Sequence, residues 1–302
     1  MGESTVGRPI LSVVVPVFNS ARTIGPCIES VLAAARPFDG ADLIIVDNGS
    51  TDASREIVSR YPVRCLCQPK RGAAAARNAG VRAAAGELIA FIDSDCIADR
   101  AWLSEFVGGM LTGVACAGGM IAAPPATNDF EAYCNEFTAK SQENAIEGNA
   151  VPYPYINTAN ALFRREVFDA VGWFDEKFTW AGGEDIDFGW RVHWAGYAMR
   201  YLPGARVEHR HRSGPGQLFR SYYRYGRGWS MTVRKHSRRI QAMPPTIAGL
   251  GVGDVQAILR AFGHGAWNVL SFRDRRERRY GYYRVLRQLG DCCGRVAAWF
   301  SG

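Results

Sequence analysis

The sequence predicts an α/β protein: a mostly parallel sheet with helices on both faces, followed by a helical extension. Two observations predict the sheet. Short, continuously apolar runs alternate with helical segments through the first third of the chain, and polar residues follow directly after those runs. A third observation predicts the extension, because the sequence past His211 becomes basic, aromatic and helical, with breaks at glycine and proline.

Four apolar runs read as buried strands, and three helical segments separate them. The predicted strands are Leu11–Val17, Leu43–Val46, Val63–Cys67 and Leu88–Ile92. The predicted helices are Thr23–Ala35, Thr51–Arg60 and Ala73–Ala85. The later part of the chain has a looser pattern, with helices predicted near 130–147, up to Gly172 and over 184–195, and a strand around 156–163.

Composition fits an ordinary folded protein, since 47% of the 302 residues are apolar and 22% are charged. The eight cysteines show no C-x-x-C spacing and no histidine at zinc-finger spacing, so we expect reduced thiols in a cytoplasmic protein. We expect neither a signal peptide over residues 1–9 nor a membrane span, because charged residues interrupt the longest apolar stretch, 247–272.

Charge is unevenly distributed along the chain. Residues 1–199 contain 16 basic and 24 acidic residues, whereas residues 200–302 contain 20 and 5. The C-terminal third should therefore face something anionic. Two explanations stay open for this extension: peripheral contact with an anionic membrane on its inner face, and packing against the rest of the chain or in a homodimer.

Asp93-Ser94-Asp95 follows the fourth predicted strand, at the edge of a parallel sheet where ligands bind. Two carboxylates at this spacing can share an oxygen-preferring cation such as Mg²⁺ or Mn²⁺, which also binds diphosphate oxygens. The alternative is a solvated loop or a helix cap. The strand position favours the metal site.

Asp47 and Asn48 follow the second predicted strand. Either Asp47 accepts a hydrogen bond from a nucleotide base, or the segment is an ordinary strand-to-helix turn capped by Thr51. Both interpretations stay open on these residues alone.

Three acids occur in the segment Gly182–Arg191, after two glycines that would allow close approach to a ligand. Acids in a first helical turn complement the helix dipole, which accounts for one of them. Glu184 or Asp185 could also remove a proton from an acceptor hydroxyl. Further on, alternation along a strand would place His209 and His211 on one side, and either one could complete a metal site.

Seven segments, in order, resemble those of the family 2 glycosyltransferases, inverting enzymes with the Rossmann-like GT-A fold. They are VVVPVFN, VDNGSTD, GAAAARNAG, FIDSDC, GWFDEKF, GGEDIDFGWR and VEHRH, and they span about residues 10–212. The resemblance implies a catalytic domain over 10–212, with a nucleotide-sugar half over about 10–120 and an acceptor half over about 121–212. Residues 213–302 form the extension.

The resemblance also implies roles for particular residues. Asp47 would read the base, and Arg77 would approach the diphosphate. Asp93 and Asp95 would bind the metal, with Asp95 the more direct ligand, and His209 would complete the site, with His211 as its alternative. Asp185 would be the catalytic base, in a pair with Glu184. The residues expected to line the nucleotide are Pro16, Val17, Phe18, Asn19, Asp47, Asn48, Arg77, Asp93 and Ser94. Many family members have a second acid where this chain has Asn48, so the donor base stays open.

We therefore expect a metal-dependent transferase that moves a sugar from a nucleoside diphosphate sugar to the hydroxyl of a glycan, lipid-linked or peptide acceptor. Two alternatives belong to other classes. A nucleotidyltransferase would normally have a glycine-rich basic loop after the first strand, where this chain has PVFN. A non-enzymatic nucleic-acid-binding protein would account for the basic extension but not for the acids, so we expect no nucleic-acid partner. A dinucleotide-dependent oxidoreductase is disfavoured because no G-x-G-x-x-G follows the first strand.

Overall fold

The computed structural model describes residues 11–110, 113–137, 142–148, 152–210, 214–240 and 275–300. These residues form two compact units that interleave along the chain. Those of the first unit fall within Met1–Ala122, Lys140–Thr179 and Asp187–His209, and those of the second within Ala123–Ala139, Trp180–Ile186 and Arg210–Gly302. The domain boundaries expected from the sequence stay a prediction.

The first unit contains a sheet in which eight described strands pair in the order β3-β2-β1-β4-β7-β6-β8-β5. The strands are β1 (Leu11–Val17), β2 (Asp42–Asp47), β3 (Arg64–Cys67), β4 (Leu88–Ile92), β5 (Cys96–Ala98), β6 (Val114–Ala122), β7 (Asn160–Arg164) and β8 (Ala198–His209). From β3 to β4 every neighbouring pair is parallel. Beyond β4 the sheet is mixed, because β7 runs antiparallel to β4 and β6, and β5 antiparallel to β8.

Helices connect or follow these strands, and those predicted over 23–35, 73–85 and 184–195 begin within one residue of their predicted starts. They are α1 (Ile24–Ala35), α2 (Ser54–Val58), α3 (Ala73–Ala83), α4 (Trp102–Gly109), α5 (Asp129–Phe137), α6 (Gln142–Ile146), α7 (Arg165–Val171), α8 (Glu184–Trp194), α9 (Pro215–Lys235) and α10 (Arg275–Phe300). Helix α2 is shorter than expected because Asp52 Oδ1 accepts hydrogen bonds from the backbone N–H and the hydroxyl of Ser54, which makes the preceding residues a turn. The helix predicted near 130–147 is two helices, α5 and α6.

The core of the first unit lies on both faces of the sheet, as alternation along a strand requires. Val13, Val15 and Val17 of β1 pack into one apolar cluster, whereas Val14 packs into the other. The second cluster includes Phe163, Phe168 and Phe188, whose rings contact one another. The expected α/β architecture is confirmed, and strand β1 has the predicted bounds.

The second unit is helical and includes α5, α9 and α10. Tyr133 of α5 contacts the rings of Tyr280 and Tyr283 of α10. Glycines allow α10 to lie close to α9, since a Cβ at Gly290 would be 2.5 Å from Phe219 O. Part of the basic, aromatic extension is thus helical as predicted; the expected features within 241–274, and His211, lie outside the described residues.

Across the described part of the chain, the helices are all too short or too polar for one to cross a bilayer. All eight cysteines are free thiols, as the sequence predicts.

Candidate active site

Three loops meet at one edge of the sheet because β1, β2 and β4 are parallel neighbours. Backbone and side chains join the first two loops. Asn19 N donates to Ser50 Oγ at 3.0 Å, and Thr51 N donates to Asn19 Oδ1 at 2.8 Å. Asn19 has a φ of 51°, a left-handed conformation that asparagine tolerates better than most residues. Pro16 and Val17 end the strand that leads into this turn.

Asp47 is buried at the end of β2, with 3% of its surface exposed. Its carboxylate accepts a hydrogen bond from Ser50 N at 3.2 Å and lies 3.9 Å from Arg55 Nε. These contacts orient the carboxylate at the ligand-binding edge. Its role in reading the base stays a prediction.

Asn48 uses its side-chain amide to hold the loop before α3. Nδ2 donates to Gln68 O at 3.0 Å and to Lys70 O at 2.7 Å, and Oδ1 accepts from Gly72 N at 2.8 Å. The amide is thus committed to the protein backbone, and a carboxylate could not replace it because a carboxylate has no N–H to donate to these two carbonyls. Its predicted nucleotide contact remains untested.

Phe18 is exposed at 48%, and the guanidinium of Arg71 lies 4.4 Å from its ring centroid. A planar exposed ring beside a cation suits contact with a nucleotide base. Sequence reasoning missed Arg71, because nothing in the spacing of Lys70-Arg71-Gly72 indicates that the side chain covers Phe18.

Arg77 and Asp93 form an ion pair at 3.0 Å between Nη2 and Oδ1. Helix α3 holds the arginine, whose side chain is 4% exposed, whereas the aspartate side chain is 31% exposed. Ser94 is buried between the acids, and its hydroxyl lies 2.8 Å from the hydroxyl of Ser20. The structure therefore links the predicted diphosphate arginine, the predicted metal segment and the β1 turn.

Asp95 and His209 come together because β5 pairs antiparallel with β8, with Cys96 opposite His209. Asp95 Oδ1 lies 3.5 Å from His209 Nε2. Ligand atoms of Asp95, Cys96 and His209 all lie within 4.8 Å of one another. A carboxylate oxygen and an imidazole nitrogen at this separation fit a divalent ion such as Mn²⁺. Burial raises the pKa of the Cys96 thiol well above its usual range, so the neutral thiol is a poor ligand.

Glu184 and Asp185 are the first two residues of helix α8. They lie within the segment Trp180–Ile186, which belongs to the second unit. Both are buried, at 2% and 8% exposure. Glu184 Oε2 accepts a hydrogen bond from Gly182 N at 2.6 Å, which gives this acid the capping contact that the sequence allowed for one of them. Asp187 pairs with Arg191 at 2.9 Å, so the third acid has a structural role.

The two glycines before these acids have a packing role. Thr232 Oγ1 of α9 donates to Gly183 O at 3.1 Å, and a Cβ at Gly183 would lie 2.7 Å from the backbone of Gly228. Both glycines also have positive φ angles, 127° and 98°. These glycines thus allow close packing against helix α9 of the same unit, and their approach to a ligand stays a prediction.

Glu176, in the segment GWFDEKF, has a structural role that sequence reasoning left unassigned. Its carboxylate accepts hydrogen bonds from Asn78 Nδ2 at 2.9 Å and Lys70 Nζ at 2.6 Å. These bonds, led by that from Asn78, lower the pKa of Glu176. Asn78 also exchanges two hydrogen bonds with the backbone of Phe174. This segment therefore fixes the loop before α3, and with it the setting of Arg77.

The sequence matches the family model for glycosyl transferase family 2 over residues 12–172. Glycosyltransferase AglE of Haloferax volcanii is 29% identical over 248 residues, covering 78% of this chain and 79% of the relative. Succinoglycan biosynthesis protein ExoA of Rhizobium meliloti is 28% identical over 293 residues, covering 87% and 86%.

Among solved structures, the mannosyltransferase PcManGT from Pyrobaculum calidifontis, in complex with GDP-Man and Mn²⁺, has a TM-score of 0.67 at 18% identity, covering 98% of this chain and 89% of that chain. This similarity confirms the GT-A fold. The family model covers more than half of the chain, in the part that holds the loops at the edge of the sheet. The chain is therefore a glycosyltransferase that belongs to glycosyl transferase family 2.

Proposed function

We propose that this glycosyltransferase moves a sugar from a nucleoside diphosphate sugar to an acceptor hydroxyl, with inversion at the anomeric carbon and with a divalent cation bound by Asp95 and His209. The observation that carries the proposal is the pairing of Asp95 Oδ1 with His209 Nε2 at 3.5 Å, beside the Arg77–Asp93 ion pair. Similarity to a mannosyltransferase in complex with GDP-Man and Mn²⁺ supports it.

Charge at this edge suits a diphosphate. Asp93 already holds the guanidinium of Arg77 in place. The side chain therefore loses little conformational entropy when it donates a hydrogen bond to a diphosphate oxygen. Asp93 contributes to the metal site from the same position. When bound, the cation neutralises negative charge on the leaving diphosphate.

The turn after β1 and the loop after β2 would hold the nucleoside. Asp47 accepts a hydrogen bond from the base, and Phe18 contacts its plane, with Arg71 on the ring. Asn19, which joins the two loops, fixes their spacing.

Asp185 is the proposed general base. Its buried carboxylate accepts the proton of the acceptor hydroxyl as that oxygen attacks the anomeric carbon from the face opposite the leaving diphosphate. A single displacement inverts the anomeric centre. Glu184, whose carboxylate is hydrogen-bonded to Gly182 N, positions the loop and is the alternative base.

Product analysis tests the reaction class. A transferase releases a nucleoside diphosphate, whereas a nucleotidyltransferase releases pyrophosphate. Incubation with a panel of nucleotide sugars and Mn²⁺, followed by anion-exchange separation of the products, distinguishes them, and the anomeric configuration of the product tests inversion.

We further propose that the acceptor belongs to a glycan or a lipid-linked glycan presented near an anionic surface. Similarity to a succinoglycan biosynthesis protein supports a glycan acceptor. Exposed basic residues of the second unit, on α9, just after α9 and on α10, support contact with an anionic surface. They include Arg220, Arg224, Arg238, Arg239, Arg276 and Arg279. A homodimer through the same unit is the competing arrangement.

A further inference from the structure

Two exposed thiols lie side by side on the edge strand β3. Cys65 and Cys67 are both exposed, and β3 is the first strand in the sheet order. Residues two apart in a strand project from the same face. Leu66, between them, packs into an apolar cluster on the opposite face. The thiols therefore form a pair that points to one side of the sheet.

The spacing of this pair excludes a direct disulfide but fits a bridging atom. Two residues along a strand place equivalent atoms about 6.6 Å apart. A disulfide needs Cβ atoms about 3.8 Å apart, so Cys65 and Cys67 cannot be joined without breaking the strand. An atom bonded to both sulfurs adds one atom to the bridge, so that side chains rotated towards each other can be joined with the strand intact.

The thiols share their face of the sheet with Asp47. In the parallel β2–β3 pair, Cys67 is in register with Asp47 and Cys65 with Ile45. Register partners in neighbouring strands project to the same face. Partial burial raises the pKa of Cys65, and the neighbouring Cys67 and Asp47 raise it further, against the opposing effect of Arg55. The thiol pair is thus close enough to Asp47, the acid that we propose contacts the base, for its carboxylate to affect the pKa of Cys65.

We propose that Cys65 and Cys67 form a dithiol site for trivalent arsenicals, and that an occupied site blocks nucleotide binding at Asp47. The second half of this proposal rests on the proposed function of Asp47. With an organoarsenical oxide, two S–H bonds break, two As–S bonds form, and the oxide oxygen leaves as water with both protons. The step needs no oxidant, since arsenic stays trivalent.

Phenylarsine oxide and intact-protein mass spectrometry test the site. We expect one equivalent of phenylarsine oxide to bind the wild type. Cys65→Ser or Cys67→Ser should weaken binding by at least about tenfold, because a single remaining thiol cannot chelate the arsenic. Cys292 and Cys293 of α10 provide the matched control: they are adjacent in a helix, where successive side chains diverge by about 100°. A Cys292→Ser/Cys293→Ser variant should bind like the wild type. Uptake that survives both single β3 substitutions, or that is lost in the α10 variant, overturns the site.

Calorimetric binding of UDP and GDP with Mn²⁺ tests the second half. The arsenical adduct should lower nucleotide affinity at least about tenfold, and a dithiol reductant should restore it. The doubly substituted Cys65→Ser/Cys67→Ser protein should bind nucleotide with or without the reagent. An adduct on β3 that leaves nucleotide binding unchanged contradicts the link to Asp47. Unmodified protein that binds none of the nucleoside diphosphates of the donor panel contradicts the proposed function instead, while the arsenical stoichiometry still decides the site.

Discussion

Arg77 donates from Nη2 to Asp93 Oδ1 at 3.0 Å, and its side chain is almost completely buried while the aspartate remains partly exposed. The buried arginine is therefore held by α3, and its guanidinium contacts the partly exposed Asp93 carboxylate at the sheet edge. An ion pair of this kind is costly to break from one side, because a buried charge is left without its partner.

Replacing Arg77 with lysine should weaken nucleoside diphosphate binding, since a lysine cannot reproduce the planar donor fork that the Asp93 contact orients. We expect a loss of about tenfold in GDP or UDP affinity, measured by calorimetry with Mn²⁺, corresponding to about 1.4 kcal/mol. Arg82→Lys is the control: this arginine is also on α3 but pairs with Glu176 through a more exposed side chain. Equal losses in the two variants would argue against a diphosphate role for Arg77.

Asp95→Asn and His209→Ala should each raise the Mn²⁺ concentration needed for half-maximal transfer, because each removes a ligand from the proposed site. Asp99→Asn is a matched control, since Asp99 is four residues away, is similarly exposed and pairs with Arg206. Titration of EDTA-treated protein with MnCl₂ measures the effect. Unchanged titrations for both site variants would remove these residues from the metal site.

Asp185→Asn should retain donor binding and lose transfer by about two to four orders of magnitude, as expected when a general base is neutralised in a nearly isosteric change. Single-turnover kinetics with saturating donor and acceptor measures the chemical step. Asp169→Asn, at an exposed acid of α7, serves as the control. Wild-type turnover by the Asp185 variant, with an inactive Glu184→Gln protein, would assign the base to Glu184.

Glu176→Gln should lower the free energy of unfolding at neutral pH by about 1 kcal/mol, because the acceptor of the hydrogen bonds from Asn78 and Lys70 loses its negative charge. The folded-state pKa of Glu176 lies below its ordinary value of 4.5. Its contribution is therefore complete above that value and is lost as the pH falls through the lowered pKa. Urea denaturation at several pH values should show the two proteins converging in acid; a difference that grows in acid would contradict this assignment.

The second unit should bind anionic vesicles in a salt-dependent way if its exposed arginines meet a membrane. Flotation with phosphatidylglycerol vesicles at low and high salt measures this, with phosphatidylcholine vesicles as the control. An Arg220→Glu/Arg224→Glu variant of α9 should float less; Arg279 is a poorer choice because it pairs with Asp129. Protein that stays in the bottom fraction at low salt while sizing as a dimer favours the homodimer.

The sequence predicted the half of the fold in which local pattern and topology coincide. Short, valine-rich apolar runs such as Leu11–Val17 favour a buried strand, and the parallel order places Asp47 and Asp93 at one edge. The mixed half of the sheet was harder to predict, because the antiparallel pairing of β7 with β4 joins residues that are far apart in sequence. For the same reason, the approach of Cys96 to His209 carries no local signal.

The hydrogen-bond and packing partners of individual residues also could not be predicted from the sequence. The three hydrogen bonds of Asn48 to the backbone of residues 68–72 could not be predicted, because their partners lie 20 to 24 residues away in sequence. The glycines at 182 and 183 likewise predict close approach, but only the structure shows that the neighbour is α9.

The interleaving of the two units constrains how this chain can be recombined. Residues 180–186, which hold Glu184 and Asp185, belong with α9 and α10, whereas the match to the family model ends at residue 172. An exchange of α9 and α10 with the helices of another family member would replace Thr232 and Gly228, which contact Gly183. Gly183 itself would stay with the original chain and face an unmatched helix. A viable chimera must therefore transplant 123–139, 180–186 and 210–302 as one set, so the proposed catalytic base is inherited with the helices rather than with the nucleotide-binding strands.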